Sequence, residues 1–145
     1  MMDGSGRTPL HLWIVGALAT LWNGFGCYDY LMTQTRNAEY LAHFTDPQRI
    51  YFESFPLWME ALWAFGVWGA MAGALLLLLR SRYAVTAFAV SLAGLAVSTF
   101  YQYVLSSPPA DMMTGAMMGM NLAIWAIAIG LLVYALRMRR QGVLR

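Results

Sequence analysis

Gly73-Ala74-Leu75-Leu76-Leu77-Leu78-Leu79-Arg80-Ser81-Arg82-Tyr83-Ala84-Val85-Thr86-Ala87-Phe88-Ala89-Val90 is the stretch that decides the fold. An apolar run ends at one arginine, and another begins directly after a second. A break this short admits an antiparallel helix hairpin and little else. Working outward, the apolar character continues in both directions, giving runs of about 55–79 and 83–105. Two more lie beyond them, at about 10–32 and 112–136, so each run has 23 to 25 residues. A hydrocarbon layer of ~30 Å needs ~20 apolar residues per helix, so each can cross with some tilt. The predicted fold is an all-α membrane protein: one domain over residues 1–145, a four-transmembrane-helix up-down bundle with an interfacial outer loop.

Composition agrees. Only 11% of the 145 residues are charged and 60% are hydrophobic, against about 25% charged in soluble domains. The four runs leave no room for a separate soluble domain. Ala17-Leu18-Ala19 has the small-residue pattern of a signal-peptidase site. The apolar run before it is short and the run after it continues, so the first helix is expected to stay uncleaved.

All nine basic residues are arginine, and their placement orients the bundle. Arg7, Arg80, Arg82, Arg137, Arg139, Arg140 and Arg145 fall on one side of the predicted topology, with Arg36 and Arg49 on the other. By the positive-inside rule the richer side is cytoplasmic, which places both termini there. Six of the seven acidic residues, all except Asp3, then lie in the outer half.

Local signals mark the connections. Ser106-Ser107-Pro108-Pro109 stops the third helix, because proline lacks an amide donor and restricts the residue before it. Asp111 is expected to cap the fourth helix. In the long outer connection, about 33–54, Asp46-Pro47 reads as an N-cap and first helical residue. Tyr40, Phe44, Tyr51 and Phe55 recur there at helix-like spacing, which predicts a lid of short interfacial helices with their rings at headgroup depth.

Polar residues collect in the outer half: Asn23 and Asp29 on the first helix, Glu60 on the second, Gln102 on the third and Asn121 on the fourth. Polar groups at membrane depth are costly and normally face the bundle interior or a wet cavity. Asn23 and Tyr30 share one helix face, as do Trp22 and Asp29. Asn23, Asp29, Tyr30, Glu60, Tyr101 and Gln102 are therefore the candidate ligand-binding residues of an outward-open pocket walled by aromatic rings. With no arginine among them, such a pocket suits a neutral, hydroxyl-rich or cationic ligand. The alternative is interhelical glue, in which the same groups bond one another and hold the helices in register.

Other chemistry finds little footing. Cys27 is the only cysteine, so no intrachain disulfide or CxxC pair exists, and a packing role is expected. His11 and His43 are predicted to lie far apart, so they cannot jointly hold a haem, and no zinc spacing occurs. No GxSxG, P-loop or dinucleotide fingerprint is present, and no basic run interleaved with aromatics suggests nucleic acid. The expectation is a protein that is not an enzyme, with no cofactor and no metal. The methionines Met112, Met113, Met117, Met118 and Met120 offer thioethers that favour Cu(I), although methionine more often fills irregular gaps. Gly69–Gly73 and Gly115–Gly119 are both GxxxG pairs that let helices approach closely. The two halves of the chain do not align as a repeat.

Leu21-Trp22-Asn23-Gly24, Asp29-Tyr30-Leu31-Met32-Thr33-Gln34-Thr35-Arg36, Tyr51-Phe52-Glu53-Ser54-Phe55-Pro56 and Leu79-Arg80-Ser81-Arg82-Tyr83-Ala84-Val85 resemble, over nearly the whole chain, a family of small four-helix inner-membrane proteins of proteobacteria. Some of its members carry a sugar-transporter label. The resemblance implies a bacterial inner-membrane location and a sugar-like ligand. The better-known small sugar carriers use a three-helix unit with a Pro-Gln pair inside a helix, whereas Pro47-Gln48 lies in the outer connection here.

Two functions are thus expected. One is binding or transport of a small polar molecule, in which case four helices enclose so little space that a homo-oligomer is expected. The other is a non-catalytic accessory subunit docked on a larger membrane complex. In both, the lipid bilayer is a partner.

Overall fold

The computed structural model describes residues 8–145, so Asp3 and Arg7, used above for orientation, lie outside the described residues. Among the described residues the chain is helical, with no strand. Six α-helices follow in order: α1 (Leu10–Gln34), α2 (Ala38–Leu41), α3 (Asp46–Glu53), α4 (Leu57–Leu78), α5 (Tyr83–Phe100) and α6 (Gly115–Arg140). A π turn, Tyr101–Leu105, extends α5, and a 3-10 turn, Ala110–Met112, precedes α6. Four segments are long and apolar enough to cross a membrane: Leu10–Gln34, Leu57–Leu78, Tyr83–Leu105 and Gly115–Arg140.

The helix ends differ from expectation at two caps. Thr45, not Asp46, caps α3: its hydroxyl accepts from the Gln48 amide at 3.3 Å, while the Gln48 side chain accepts from the Thr45 amide at 3.2 Å. This is a capping box, and its signature T-x-x-Q was present in the sequence. Asp46 is instead the first helical residue and pairs with Arg49 one turn on. Likewise Thr114, not Asp111, caps α6, accepting from the Met117 amide at 3.3 Å. Asp111 falls in the 3-10 turn ahead of it. The far end of α6 runs on to Arg140, four residues past the predicted stop. Arg137, Arg139 and Arg140 occupy its last turn, where cations favour the helix dipole.

Helix α4 packs against both α1 and α5, and α6 packs against α5. Close approach of α4 to α5 depends on small residues. A Cβ at Gly94 would lie 2.8 Å from the Leu62 carbonyl oxygen and 2.9 Å from the Gly66 nitrogen. At Gly69 it would lie 3.3 Å from the Ala87 carbonyl and from Ser91. The pair Gly69–Gly73 therefore serves packing within the chain, whereas a Cβ on Gly115 or Gly119 would meet nothing within 4 Å. Backbones this near allow the Ser91 hydroxyl to donate to the Gly66 carbonyl at 2.6 Å. On the other side of α4, Asn23 donates to the Ala70 carbonyl at 3.3 Å and Cys27 to the Val67 carbonyl at 3.7 Å. Cys27 is buried, in keeping with a packing role.

The two ends of the bundle have different chemistry. At one end the Arg80 guanidinium donates to the Thr8 hydroxyl at 2.8 Å, and the chain beyond α6 folds back so that Arg145 bonds the backbone of Arg80 and Arg82. Val143 and Leu144 are buried there with Leu12, Leu77 and Met138. At the other end α2 and α3 form a lid. Tyr51, Phe55 and Met59 are its buried centre, and Phe52, Trp63 and Tyr101 pack around them. Edge-to-face contacts link Tyr40 to Phe44, Tyr51 to Phe55 and Phe55 to Tyr101. The Tyr51 hydroxyl and Ser106 hydroxyl, 2.8 Å apart, tie α3 to the chain beyond α5.

Candidate functional site

Helices α1, α4, α5 and α6 enclose a cleft of about 570 Å³. This falls within the range of roughly 300–1,000 Å³ typical of small-molecule pockets. The Trp22–Asp29 face of α1 forms one wall and the Met120–Leu131 face of α6 the opposite one, with Trp63, Gly66 and Ala70 of α4 and Ser91, Ser98 and Gln102 of α5 behind. The single hydrogen bond between α1 and α6 among the described residues joins the His11 ring to the Tyr134 hydroxyl. It closes the seam at the arginine end. Toward the lid the cleft lies between the two helices.

Polarity is graded along the cleft. Asp29, Gln102, Asn121, Ser98 and Thr99 lie toward the lid, while Phe88, Ile127, Ala128 and Leu131 line the deeper end. Several of the polar groups are already engaged. Thr99 donates to the Leu95 carbonyl at 2.7 Å and accepts from the Trp125 indole at 3.2 Å. Asn121 donates to the Tyr103 hydroxyl at 2.6 Å. Asp29 accepts from the Tyr40 hydroxyl, which clamps the lid helix α2 to α1.

One group differs. Ser98 is 7% exposed, and its hydroxyl has no hydrogen-bond partner. A buried hydroxyl without a partner costs about 1–3 kcal/mol, so it requires an explanation. Ser98 borders the cleft and also a smaller adjoining chamber of about 210 Å³ under the lid. Gln102 lines both chambers too, and its side-chain amide makes no hydrogen bond within the described residues. The smaller chamber is bordered by Met59, Met112, Met113, Met117 and Met120, which places most of the methionine run at and before the start of α6 against it.

Of the six residues expected to line a pocket, the structure brings Asn23, Asp29 and Gln102 to the cleft. Tyr30 faces α4, edge-on to Trp63 at 5.0 Å between ring centroids. Tyr101 packs edge-to-face on Phe55 and Trp58 beneath the lid. Glu60, in the first turn of α4, borders neither chamber. Ser98 and Thr99 line the cleft but were not among the residues expected there. Ser91 and Ser98, seven residues apart on α5, carried the signal for the first, since that spacing places both on one face.

The lid clamp has a pH signature. Burial, the hydrogen bond to Asp29 and that carboxylate's charge together hold the Tyr40 phenol well above its usual range. A group whose folded pKa is raised contributes stability that is complete below its unfolded value, ~10 for tyrosine, and lost as pH rises through the folded value. Thermal stability is therefore expected to be level near neutrality and to fall above about pH 10. In Tyr40→Phe that alkaline fall should be shallower, as followed by unfolding midpoints across pH. Equal slopes in the two proteins would show that the clamp contributes nothing.

No protein-family model matches the chain, and neither does any curated protein or solved structure.

Proposed function

We propose that the chain is a multi-pass protein of a bacterial inner membrane, an up-down four-helix bundle with both termini cytoplasmic, and that it binds or moves a small polar molecule through an outward-facing pocket. Its arginine-rich end would face the cytoplasm and its lid the exterior, as the positive-inside rule requires. The observation that carries the pocket reading is Ser98: a buried hydroxyl without a partner, lining with Gln102 and Asp29 a cleft of small-molecule size. Glue would leave Ser98 and Gln102 bonded within the bundle too, as Asn23, Thr99 and Asn121 are. Amide, hydroxyl and carboxylate groups without an arginine suit a hydroxyl-rich ligand, in line with the resemblance to proteins labelled as sugar transporters. In this reading no residue acts as a nucleophile, and the protein is not an enzyme.

Thiol accessibility tests the orientation and the opening together. In a Cys27→Ala background, Gln102→Cys should react in intact cells with a small, membrane-impermeant methanethiosulfonate. Gln141→Cys, at the arginine end, should react only after permeabilisation. If Gln102→Cys stays silent under both conditions, the pocket is closed and the proposal fails.

One observation favours the rival reading, an accessory subunit on a larger membrane complex. Of the 26 residues of α6 only Leu131, Ala135 and Met138 are buried, all in the half toward the arginine end, so that helix presents most of its surface outward. The glycines at 115 and 119 lie on this open surface. A partner helix, rather than lipid, would then cover it.

A further inference from the structure

The gradient along the cleft carries more than a small polar ligand requires. A polar molecule would be satisfied by the lid end alone, among Asp29, Ser98, Gln102 and Asn121. The cleft continues beyond them, past Ile124 and Ile127 to Phe88, Ala128 and Leu131. In this deeper part Asn23 and Ser91 have already given their hydrogen bonds to the Ala70 and Gly66 carbonyls. The rest of the lining there, Phe88, Ile127, Ala128 and Leu131, is apolar, so the depth suits an apolar group.

We propose that the ligand is an amphiphile: a hydroxyl-bearing head held at the lid end and a single apolar chain lying along the deeper wall between α1 and α6. The proposal rests on the pocket reading above and deepens it. In the head subsite the Ser98 hydroxyl donates to a head-group oxygen, which supplies the partner it lacks within the chain. Gln102 donates and accepts beside it, and Asp29 accepts from a head-group hydroxyl while it still holds Tyr40. The chain packs on Ile127, Ala128 and Leu131. Because α1 and α6 are tied to each other at the His11–Tyr134 end, the ligand enters sideways nearer the lid, from the outer layer of the membrane. This orientation matches the bilayer, with the head at the outer interface and the chain toward the midplane. The volume of about 570 Å³ is that of a drug-sized molecule, which limits the apolar part to one chain.

Two probes that share a head separate this proposal from the reading beneath it. The full chain, held in amphipol, is titrated with glucose and with octyl glucoside below its micelle concentration. Fluorescence of Trp22 and Trp63, both in the cleft wall, reports binding. Octyl glucoside is expected to bind roughly a hundredfold tighter, because each buried methylene contributes about fourfold and three or four are buried. In Ala128→Phe, which fills the deep end, that advantage should fall below roughly tenfold, the glucose affinity serving as the control for folding. Ser98→Ala should weaken both probes alike, by about two- to tenfold. Equal affinity for the two probes overturns the amphiphile and leaves the polar pocket standing. An advantage that survives Ala128→Phe places the chain outside the cleft and also overturns the amphiphile. If neither probe binds, both readings fall.

Discussion

Gly94→Leu is expected to cost the chain about 2–3 kcal/mol of stability, the upper part of the range for overpacking a tight contact. The first carbon added at this position would lie 2.8 Å from the Leu62 carbonyl oxygen and 2.9 Å from the Gly66 nitrogen. Both are backbone atoms of α4, so no side chain can rotate away and the helices themselves must separate. Separation would also break the bond from the Ser91 hydroxyl to the Gly66 carbonyl. A leucine in place of glycine gains about 0.8–1 kcal/mol of helix propensity, which is too little to offset the clash. The contrast is Gly119→Leu on α6, where a Cβ would meet nothing within 4 Å. That change should stay within about 0.5 kcal/mol of neutral, or improve stability through propensity. Gly73→Leu should fall between, because its nearest obstacle is the Phe88 ring, which is a side chain. Unfolding midpoints of the three variants in one detergent give the order. Equal midpoints for Gly94→Leu and Gly119→Leu would mean that α4 and α5 do not pack as described.

The second large effect concerns binding. Asp29→Asn is expected to weaken ligand binding about tenfold or more, since hydrogen bonds to a charged group are worth about 1.5–3 kcal/mol. Asp29 borders both chambers and holds the Tyr40 hydroxyl of the lid, so its loss removes an acceptor from the cleft and loosens the cover. Glu60→Gln is the matched control. It also neutralises a carboxylate in the lid half of the bundle, but Glu60 borders neither chamber, and a change under about threefold is expected. Titration of octyl glucoside against both variants decides between them. A loss equal in the two would assign the effect to the net charge of the lid end, and the local role of Asp29 would be given up.

The sequence carried the helical architecture because the relevant quantities are local. Run length, the arginines at 80 and 82 and the prolines at 108 and 109 place the long segments without any knowledge of packing. The two misplaced caps were also local. Asp46 and Asp111 outrank threonine in general preference, yet Thr45 and Thr114 lie three residues ahead of amides that their hydroxyls can reach. At Thr45 the Gln48 side chain completes the box. Depth along each helix was legible as well, since it follows from counting residues, and it grouped the polar residues at one end.

Rotation about each helix was not legible. Every long helix is apolar on all sides, so no hydrophobic stripe distinguishes the face toward α4 from the face toward the cleft. Tyr30, Tyr101 and Glu60 lie near the right depth but point elsewhere: Tyr30 toward Trp63, Tyr101 toward Phe55 and Trp58. Ser98 illustrates the converse. A serine in an apolar helix reads as a small packing residue, and only the positions of its neighbours reveal that its hydroxyl has no partner. The π turn at Tyr101–Leu105 shifts the helical register just where Tyr101 and Gln102 separate, one to the lid core and the other to the cleft.

The most direct test of the central claim is native mass spectrometry of the full chain, extracted gently from its own membrane without detergent exchange, beside the Ser98→Val and Ala128→Phe variants. The expected result is a reproducible small-molecule adduct on the wild-type chain that is reduced in both variants, with a mass that resolves into a hydroxyl-bearing head and one apolar chain. A wild-type chain that carries no adduct, and instead leaves the membrane in fixed stoichiometry with a different and larger membrane protein, would contradict the pocket and make this chain an accessory subunit.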